Sequence, residues 1–550
     1  MTKLRRFTRR RMLLALSVVF FLIYWLPSSP FAFSDSHLIL NQPDEGLFYD
    51  IARQVSLGTA PGREELFTTA SLSQVHPRSA TVVHGRIVPI AFPAAMILFG
   101  LLARLDVIIV GTWLVNISLS AITPLLAALC PLVLYYLVRK VSGQSRLAFH
   151  SALFLFILPP FWYYASRPFQ PHILFIFLLL SAAAIYTSAL NQHHYRRLWQ
   201  LYVAFTMVGF ALIVRPVELM WVVLLGLLIL WFTRKQLHRQ DMMILIPAAI
   251  TTLIIYAAVQ LSVYGNIFGS GYVKPAADGT AGLLSSGPQG IHLLQALVAP
   301  FGVLPIAIAK TAYHYLLRLF SLWSLAAMAA SLAVIWAKAD DHRVRKYFLG
   351  YGLVAALLLI YYGTWQFTDN LAGQVSIGSS QVRYFLPIYV AAAPLLGMCS
   401  LWLFRQRRPG QLVATFVIGA LAFSSYSAVF TSFEGINHIR NVKEQYAEYQ
   451  ARIYAHVPAE AVIITRYGDK YLYPERKVIA GLDDADMRAG TAALLEAGTE
   501  LYLYDLAGYA NSDAVQAWLA DTGATLALMD QFDDLELYRI EKNLSFTYDR

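Results

Sequence analysis

Apolar runs of about 20 residues, long enough to cross a hydrocarbon core, recur along most of the chain. The first, Met12–Phe33, follows the basic start MTKLRRFTRRR. Others lie near 110–138, 147–165, 171–190, 198–214, 217–233, 242–263, 315–337, 347–367, 384–404 and 411–431, which makes eleven. The polar segments between them alternate in character. VRKVSGQSR, NQHHYRR, TRKQLHR, KADDHRVRK and RQRRPGQ are basic and are expected in the cytoplasm, while SRPFQ, VRPVE, YGNIFGSGYVKP and TDNLAGQVSIGSSQVR alternate with them and are expected outside. With the basic N-terminus inside, eleven crossings put the C-terminus outside. A cleaved signal peptide is the competing reading of the first run, and it leaves the sides of the later loops unchanged.

Two stretches do not fit the alternation. Ile87–Leu105 is short, contains Pro89 and Pro93 and ends at Arg104 and Asp106, so an interfacial or re-entrant helix is expected there. Ile291–Lys310, broken by Pro300 and Pro305, is expected to be a second such piece.

After Thr431 the pattern changes. AVIITRYGDKYLYPERKVIAGLDD reads as strand, turn, strand; DMRAGTAALLEAG as helix; ELYLYDL as strand; DAVQAWLADTG as helix; ATLALMD and LELYRI as strands. The expected organisation is a polytopic α-helical membrane domain over 1–431, a linker over 432–455 and a small α/β domain over 456–550 on the outer side. No internal repeat is visible.

Composition supports this division. The chain of 550 residues is 57% hydrophobic and 14% charged, against about 25% charged in soluble domains. Its net charge of +10 comes from short clusters between apolar runs, a pattern that suits an anionic membrane surface and gives no reason to expect a nucleic-acid partner. The two cysteines, Cys130 and Cys399, lie within apolar runs, so a disulfide framework is not expected.

The candidate chemistry begins in NQPDEGLFYDIARQ. Leu47, Phe48, Ile51 and Val55 are at helical spacing and Gly58 can end the helix, so an amphipathic helix over Glu45–Leu57 is expected on the outer membrane surface, with Asp44 at its N-cap and Glu45 in its first turn. Helix capping alone would account for these two acids. It does not account for the length of the loop, residues 34–86, which also holds His76, Arg78, His84 and Arg86 in QVHPRSATVVHGRIVP. Further on, Arg215 and Glu218 in VRPVE are three residues apart between two spans, as a self-paired turn or as the lining of a wet cavity. Arg383 and Tyr384 in SSQVRYFLP begin a late span from the outer side, and Arg167 in ASRPFQ reads as an interfacial anchor. His76 and His84 are a weak zinc pair. The other outer loops offer Glu218, Asp278 and Asp369 without an Asp-x-Asp. No metal or cofactor is assigned, and a divalent ion stays open.

PDEGLFYDIARQVSLG resembles the first outer loop of the C-type (GT-C) glycosyltransferase fold, where an Asp-Glu pair starts a juxtamembrane helix. VHPRSATVVHGRIVPIAFPAAMILFG resembles the later part of that loop, SSQVRYFLPIYVAAAPLLG the Arg-Tyr-x-Leu-Pro start of a late span, and YGNIFGSGY a loop of bacterial and archaeal members. The likeness covers most of 1–431 and is closest to glycosyltransferase family 39, the protein O-mannosyltransferases and lipid A aminoarabinose transferases. The chain departs from the mannosyltransferases at His76-Pro77-Arg78-Ser79, where they usually read His-Pro-Pro-Leu, which leaves sugar and acceptor open.

The resemblance implies a prokaryotic plasma (inner) membrane enzyme. It would transfer a sugar, with inversion, from a polyprenyl-phosphate donor to a protein, glycan or lipid acceptor on the extracytoplasmic face. Asp44 would be the base, with Glu45 orienting it or binding the sugar. His76, Arg78, His84, Arg86, Arg215, Glu218, Arg383 and Tyr384 are the candidate substrate-binding residues. The alternative reading is a membrane transporter or flippase, whose usual paired halves are not seen in this sequence.

Overall fold

The structure, a computed structural model, describes residues 2–30, 38–269, 302–338, 340–365 and 374–542. It divides into two compact units. The first comprises Met1–Ala32, Ser120–Tyr256 and Leu283–His438; the second comprises Phe33–Leu119, Ala257–Gly282 and Ile439–Arg550.

Among the described residues, ten helices are long and apolar enough to cross a membrane, and the count reaches eleven when one bent pair is taken as a single span. The chain is therefore an integral multi-pass membrane protein with about the expected number of crossings. The bent pair is the span expected at 147–165. Ser145–Ile157 and Pro159–Ala165 meet at 61°, because Pro159 and Pro160 have no N–H for the preceding helix ladder and their rings crowd it. In the first unit a core of Leu13, Tyr135, Ala148, Phe149, Ala152 and Phe156 joins the first helix to its neighbours. If the charge alternation sets the topology, an impermeant thiol reagent applied from outside should label cysteines introduced in 34–86 and after 440, but none in 140–146 or 405–410. Outside labelling at 405–410 would remove the eleven-crossing arrangement.

The second unit holds the first outer loop and the C-terminal sheet. Ile87–Leu105 is not one helix, contrary to expectation. Arg86–Pro89 is a strand paired antiparallel with Ala80–Val83, and the helix runs from Pro93 to Val110. The turn between the strands is His84-Gly85, with φ of 50° and 72°, the two-residue hairpin geometry that suits a right-handed strand twist. Of the second expected piece, Ile291–Lys310, residues up to 301 lie outside the described set; Pro305–Thr311 is helical.

The helix Pro43–Leu57 lies against Pro93–Val110. Phe48 meets Phe99 edge to face at 5.0 Å. A Cβ on Gly100 would stand 2.6 Å from both the Ala52 carbonyl oxygen and Val55 Cβ, so only glycine permits this crossing.

The C-terminal elements follow expectation, with one difference. Lys477–Ile479 and Val462–Ile464 are neighbours but run parallel, with the short helix Asp469–Leu472 in the connection, so they do not form a hairpin. Leu501–Leu506 extends the parallel part, and Leu535–Lys542 and Ala524–Phe532 complete a five-stranded sheet as antiparallel strands. Its core includes Val462, Ile464, Leu501, Leu503, Trp518 and, from the first outer loop, Val75. Most of the stretch 432–455 is the helix Ile436–His456.

Candidate functional site

In the second unit, the helix Pro43–Leu57 begins two residues earlier than its hydrophobic spacing suggests. Pro43 takes the first helical position, where its fixed φ and missing N–H cost nothing. Gln42 is the N-cap, so Asp44 is in the first turn and not at the cap, a correction to the sequence reading; Gly58 ends the helix in the left-handed conformation, φ 86°, as expected. Both acids thus lie at the positive end of the helix dipole, in different surroundings. Glu45 is buried and accepts a hydrogen bond from the Asn41 backbone N–H at 3.2 Å, whereas Asp44 is exposed.

A third acid on this helix was not singled out from sequence. Asp50 is 1% exposed; it accepts from Arg63 Nη2 at 2.9 Å and from the Tyr473 hydroxyl at 2.7 Å. Burial and the Asp50 carboxylate together hold the Tyr473 hydroxyl well above its usual pKa, so it remains a donor. The readable signal was position: Asp50 is three residues from Leu47, on the apolar side of the helix.

The cations of the first outer loop are engaged within the same unit. Arg78 donates from its backbone N–H and from Nε and Nη2 to Asp469, the shortest bond being 2.7 Å, and Asp469 is itself buried. Ser79 donates to the Pro43 carbonyl at 3.0 Å. Of the two residues that depart from the His-Pro-Pro-Leu pattern, Ser79 thus braces the start of the helix that carries Asp44, and Arg78 is held by Asp469. Arg86 donates to the Gly62 and Ala60 carbonyls at 2.8 and 3.3 Å. His76 Nδ1 is 2.9 Å from the Pro77 carbonyl oxygen, and His84 is at the hairpin tip, exposed. Replacing Arg78 with Met leaves the Asp469 carboxylate buried without its guanidinium; a loss of roughly 3 kcal/mol is expected, read as a lower unfolding midpoint.

Lys470, next to Asp469, is pushed down to about pH 8 by burial and by the Arg78 guanidinium, against the pull of Asp469. Its ammonium faces the Tyr446 ring at 4.6 Å. A depressed lysine pKa means that the folded state loses this proton before the unfolded chain does. Its contribution to stability should therefore rise from about pH 8 towards the unfolded pKa of about 10.4, and Lys470→Met should flatten that rise in a thermal-unfolding series.

In the first unit, VRPVE joins the helices His194–Val214 and Leu219–Thr233 through a 3₁₀ turn. Arg215 is fully buried and donates to Glu218 Oε1 from Nε at 3.1 Å and from Nη2 at 2.7 Å. Glu218 also accepts from the Tyr362 hydroxyl at 3.0 Å and from the Trp221 ring N–H. Of the two sequence readings of this pair, the self-paired turn is the one that forms.

Tyr384 links this pair to the start of the late span. Its ring stacks on Tyr362 at 4.3 Å, with the Arg215 and Arg383 guanidinium carbons 5.1 and 5.5 Å from its centroid. Arg383 donates to the Ser380 hydroxyl at 2.6 Å. His172, which the sequence reading passed over, meets Tyr384 edge to face at 5.4 Å. Arg167 is not an interfacial anchor; it is buried, with its guanidinium 5.7 Å from the Tyr163 ring.

Asp278 and Asp369 lie outside the described residues. Another acid takes part here: the Ser376 hydroxyl donates to Glu434. A Cβ on Gly378 would be 2.6 Å from the Glu434 carboxylate, so a side chain there would displace that carboxylate. Among the described residues no three His, Cys, Asp or Glu side chains gather as a metal-ion cage.

No protein-family model and no curated protein matches this chain, but solved structures do. It is similar to the oligosaccharyltransferase of Archaeoglobus fulgidus solved with Zn and sulfate, with a TM-score of 0.51 and 14% identity over 92% of this chain and 69% of that one. It is also similar to ArnT from Cupriavidus metallidurans in the apo state, with a TM-score of 0.50 and 12% identity over 96% of this chain and 97% of the other. At such identities the likeness is one of fold, and the fold is the C-type glycosyltransferase fold expected from the sequence.

Proposed function

We propose that this membrane protein is an inverting glycosyltransferase that moves a sugar from a polyprenyl-phosphate donor to an acceptor on the extracytoplasmic face. The fold supports a transferase. The observation that carries the reading is the division among the acids of Pro43–Leu57: Glu45 and Asp50 are buried, while Asp44 is exposed in the first turn.

In the reaction, an acceptor oxygen or nitrogen bonds to the anomeric carbon from one face. The bond to the phosphate oxygen breaks on the other, and its electron pair leaves with the phosphate. The acceptor's proton needs a base, and Asp44 is assigned that role; such help contributes about 10²–10⁴-fold. A retaining double displacement would need two carboxylates about 5 Å apart across the sugar, which an exposed and a buried neighbour at a helix start do not supply. The departing phosphate needs fixed positive charge, and Arg383 is assigned to it, because a guanidinium can hold two phosphate oxygens and stays protonated.

The test is transfer in proteoliposomes from radiolabelled polyprenyl-phosphate sugars to a crude envelope acceptor fraction. Covalent, time-dependent transfer is expected. Movement of label across the bilayer without covalent transfer would replace this reading with a transporter or flippase.

A further inference from the structure

His172 is 4% exposed, and among the described residues neither of its ring nitrogens has a hydrogen-bond partner. Burying an imidazole in that state costs free energy, and native structures rarely leave such groups unsatisfied. The ring's surroundings indicate what would satisfy it. His172 is the second residue of the helix Pro171–Ala189, at the positive end of a 19-residue dipole. Its ring meets Tyr384 at 5.4 Å, and the Arg215 and Arg383 guanidinium carbons are 5.1 and 5.5 Å from that same Tyr384 centroid. Glu218, the nearby carboxylate, already accepts from Arg215, Trp221 and Tyr362.

Among the described residues, the Arg383 guanidinium and a helix start thus stand beside an Arg215–Glu218 pair that is already closed on itself, an arrangement suited to an anion. In either protonation state an imidazole offers at least one N–H. The ends that bring these groups together, Pro171, Arg215, Tyr362 and Tyr384, are all ends that the loop-charge pattern expects on the outer side, at lipid-headgroup depth.

We propose that His172 is a phosphate-binding residue, its N–H directed at an oxygen of a lipid-linked phosphate held with Arg383. This rests on the polyprenyl-phosphate reading and adds to it a residue without any sequence motif. His172 transfers no proton; it donates a hydrogen bond to charge that grows on the phosphate as the sugar leaves.

The test is binding to the protein in nanodiscs, read by native mass spectrometry, with three probes: a long-chain polyprenyl phosphate, the matching uncharged polyprenol, and inorganic phosphate as competitor. His172→Phe keeps an aromatic ring against Tyr384 but has no donor, and roughly tenfold to hundredfold weaker binding of the polyprenyl phosphate is expected. His172→Gln keeps a donor and should stay within about threefold of wild type. Polyprenol binding should not change in either. Competition by inorganic phosphate that weakens in His172→Phe would support the same anion seat with a free-phosphate source. Should His172→Phe fail to fold, His172→Met, also without a donor, takes its place. Wild-type polyprenyl-phosphate binding in a folded variant without a donor overturns the assignment. The two readings fail separately: loss of binding in His172→Phe with no sugar transfer from any donor would keep the anion seat and remove the glycosyltransferase.

Discussion

Replacing Asp44 with Asn is expected to lower sugar transfer at least about 100-fold, with folding and donor binding retained. The substitution keeps size and shape but removes the basic oxygen. Its structural cost is small, because Asp44 is exposed and does not cap the helix; loss of a first-turn charge is worth about 0.3–1 kcal/mol. Glu45→Gln should behave differently. Glu45 is buried and holds the Asn41 backbone N–H, a contact a Gln carbonyl oxygen can still make, so a smaller loss of turnover is expected. The measurement is initial rate at saturating donor, with thermal unfolding as the control. Near wild-type turnover in Asp44→Asn would reduce Asp44 to a favourable charge at a helix start.

Replacing Arg383 with Lys should cost roughly 10²–10³ in rate, the usual loss on removing one donor aimed at developing charge. An anchoring arginine would tolerate lysine, since both side chains reach the headgroup region. A residue that holds two phosphate oxygens would not, because an ammonium is a point charge without the planar fork. Arg383 already donates to Ser380 and lies against the Tyr384 ring, so its guanidinium is oriented before any ligand arrives. The variant should express and unfold as wild type does. Unchanged kinetics would remove Arg383 from the site.

Much of the architecture was legible without coordinates. The apolar runs, the alternating basic loops and the period change after Thr431 are local properties of the chain, and the forces that act on them are local too. Twenty apolar residues cross a hydrocarbon core whatever their neighbours are, and Leu47, Phe48, Ile51 and Val55 define one face of a helix that Gly58 can end. The bend at Leu158–Pro159, in a stretch expected as one span over 147–165, was not read, although two adjacent prolines mark it.

The chemistry was less legible, because partners distant in sequence decide it. Arg78 read as a candidate substrate-binding residue of the first loop, and Asp469, 391 positions later, accepts its hydrogen bonds. Asp50 was not singled out from the sequence, and Tyr473, 423 positions away, donates to it in the buried interior. The hairpin tip at His84-Gly85 was within reach of a local argument, as a two-residue turn between β-branched pairs, but the proline-containing helical pattern that follows masked it. His172 had no local signal, since a lone histidine at a span end is unremarkable in sequence; only folding brings it to Tyr384, Arg215 and Arg383. Hydropathy and turn chemistry determined which segments cross the membrane and where most of them stop. Long-range packing decided which polar groups are satisfied internally and which acid, Asp44, remains exposed, because the cost of burying a charge depends on the partner that tertiary structure brings to it.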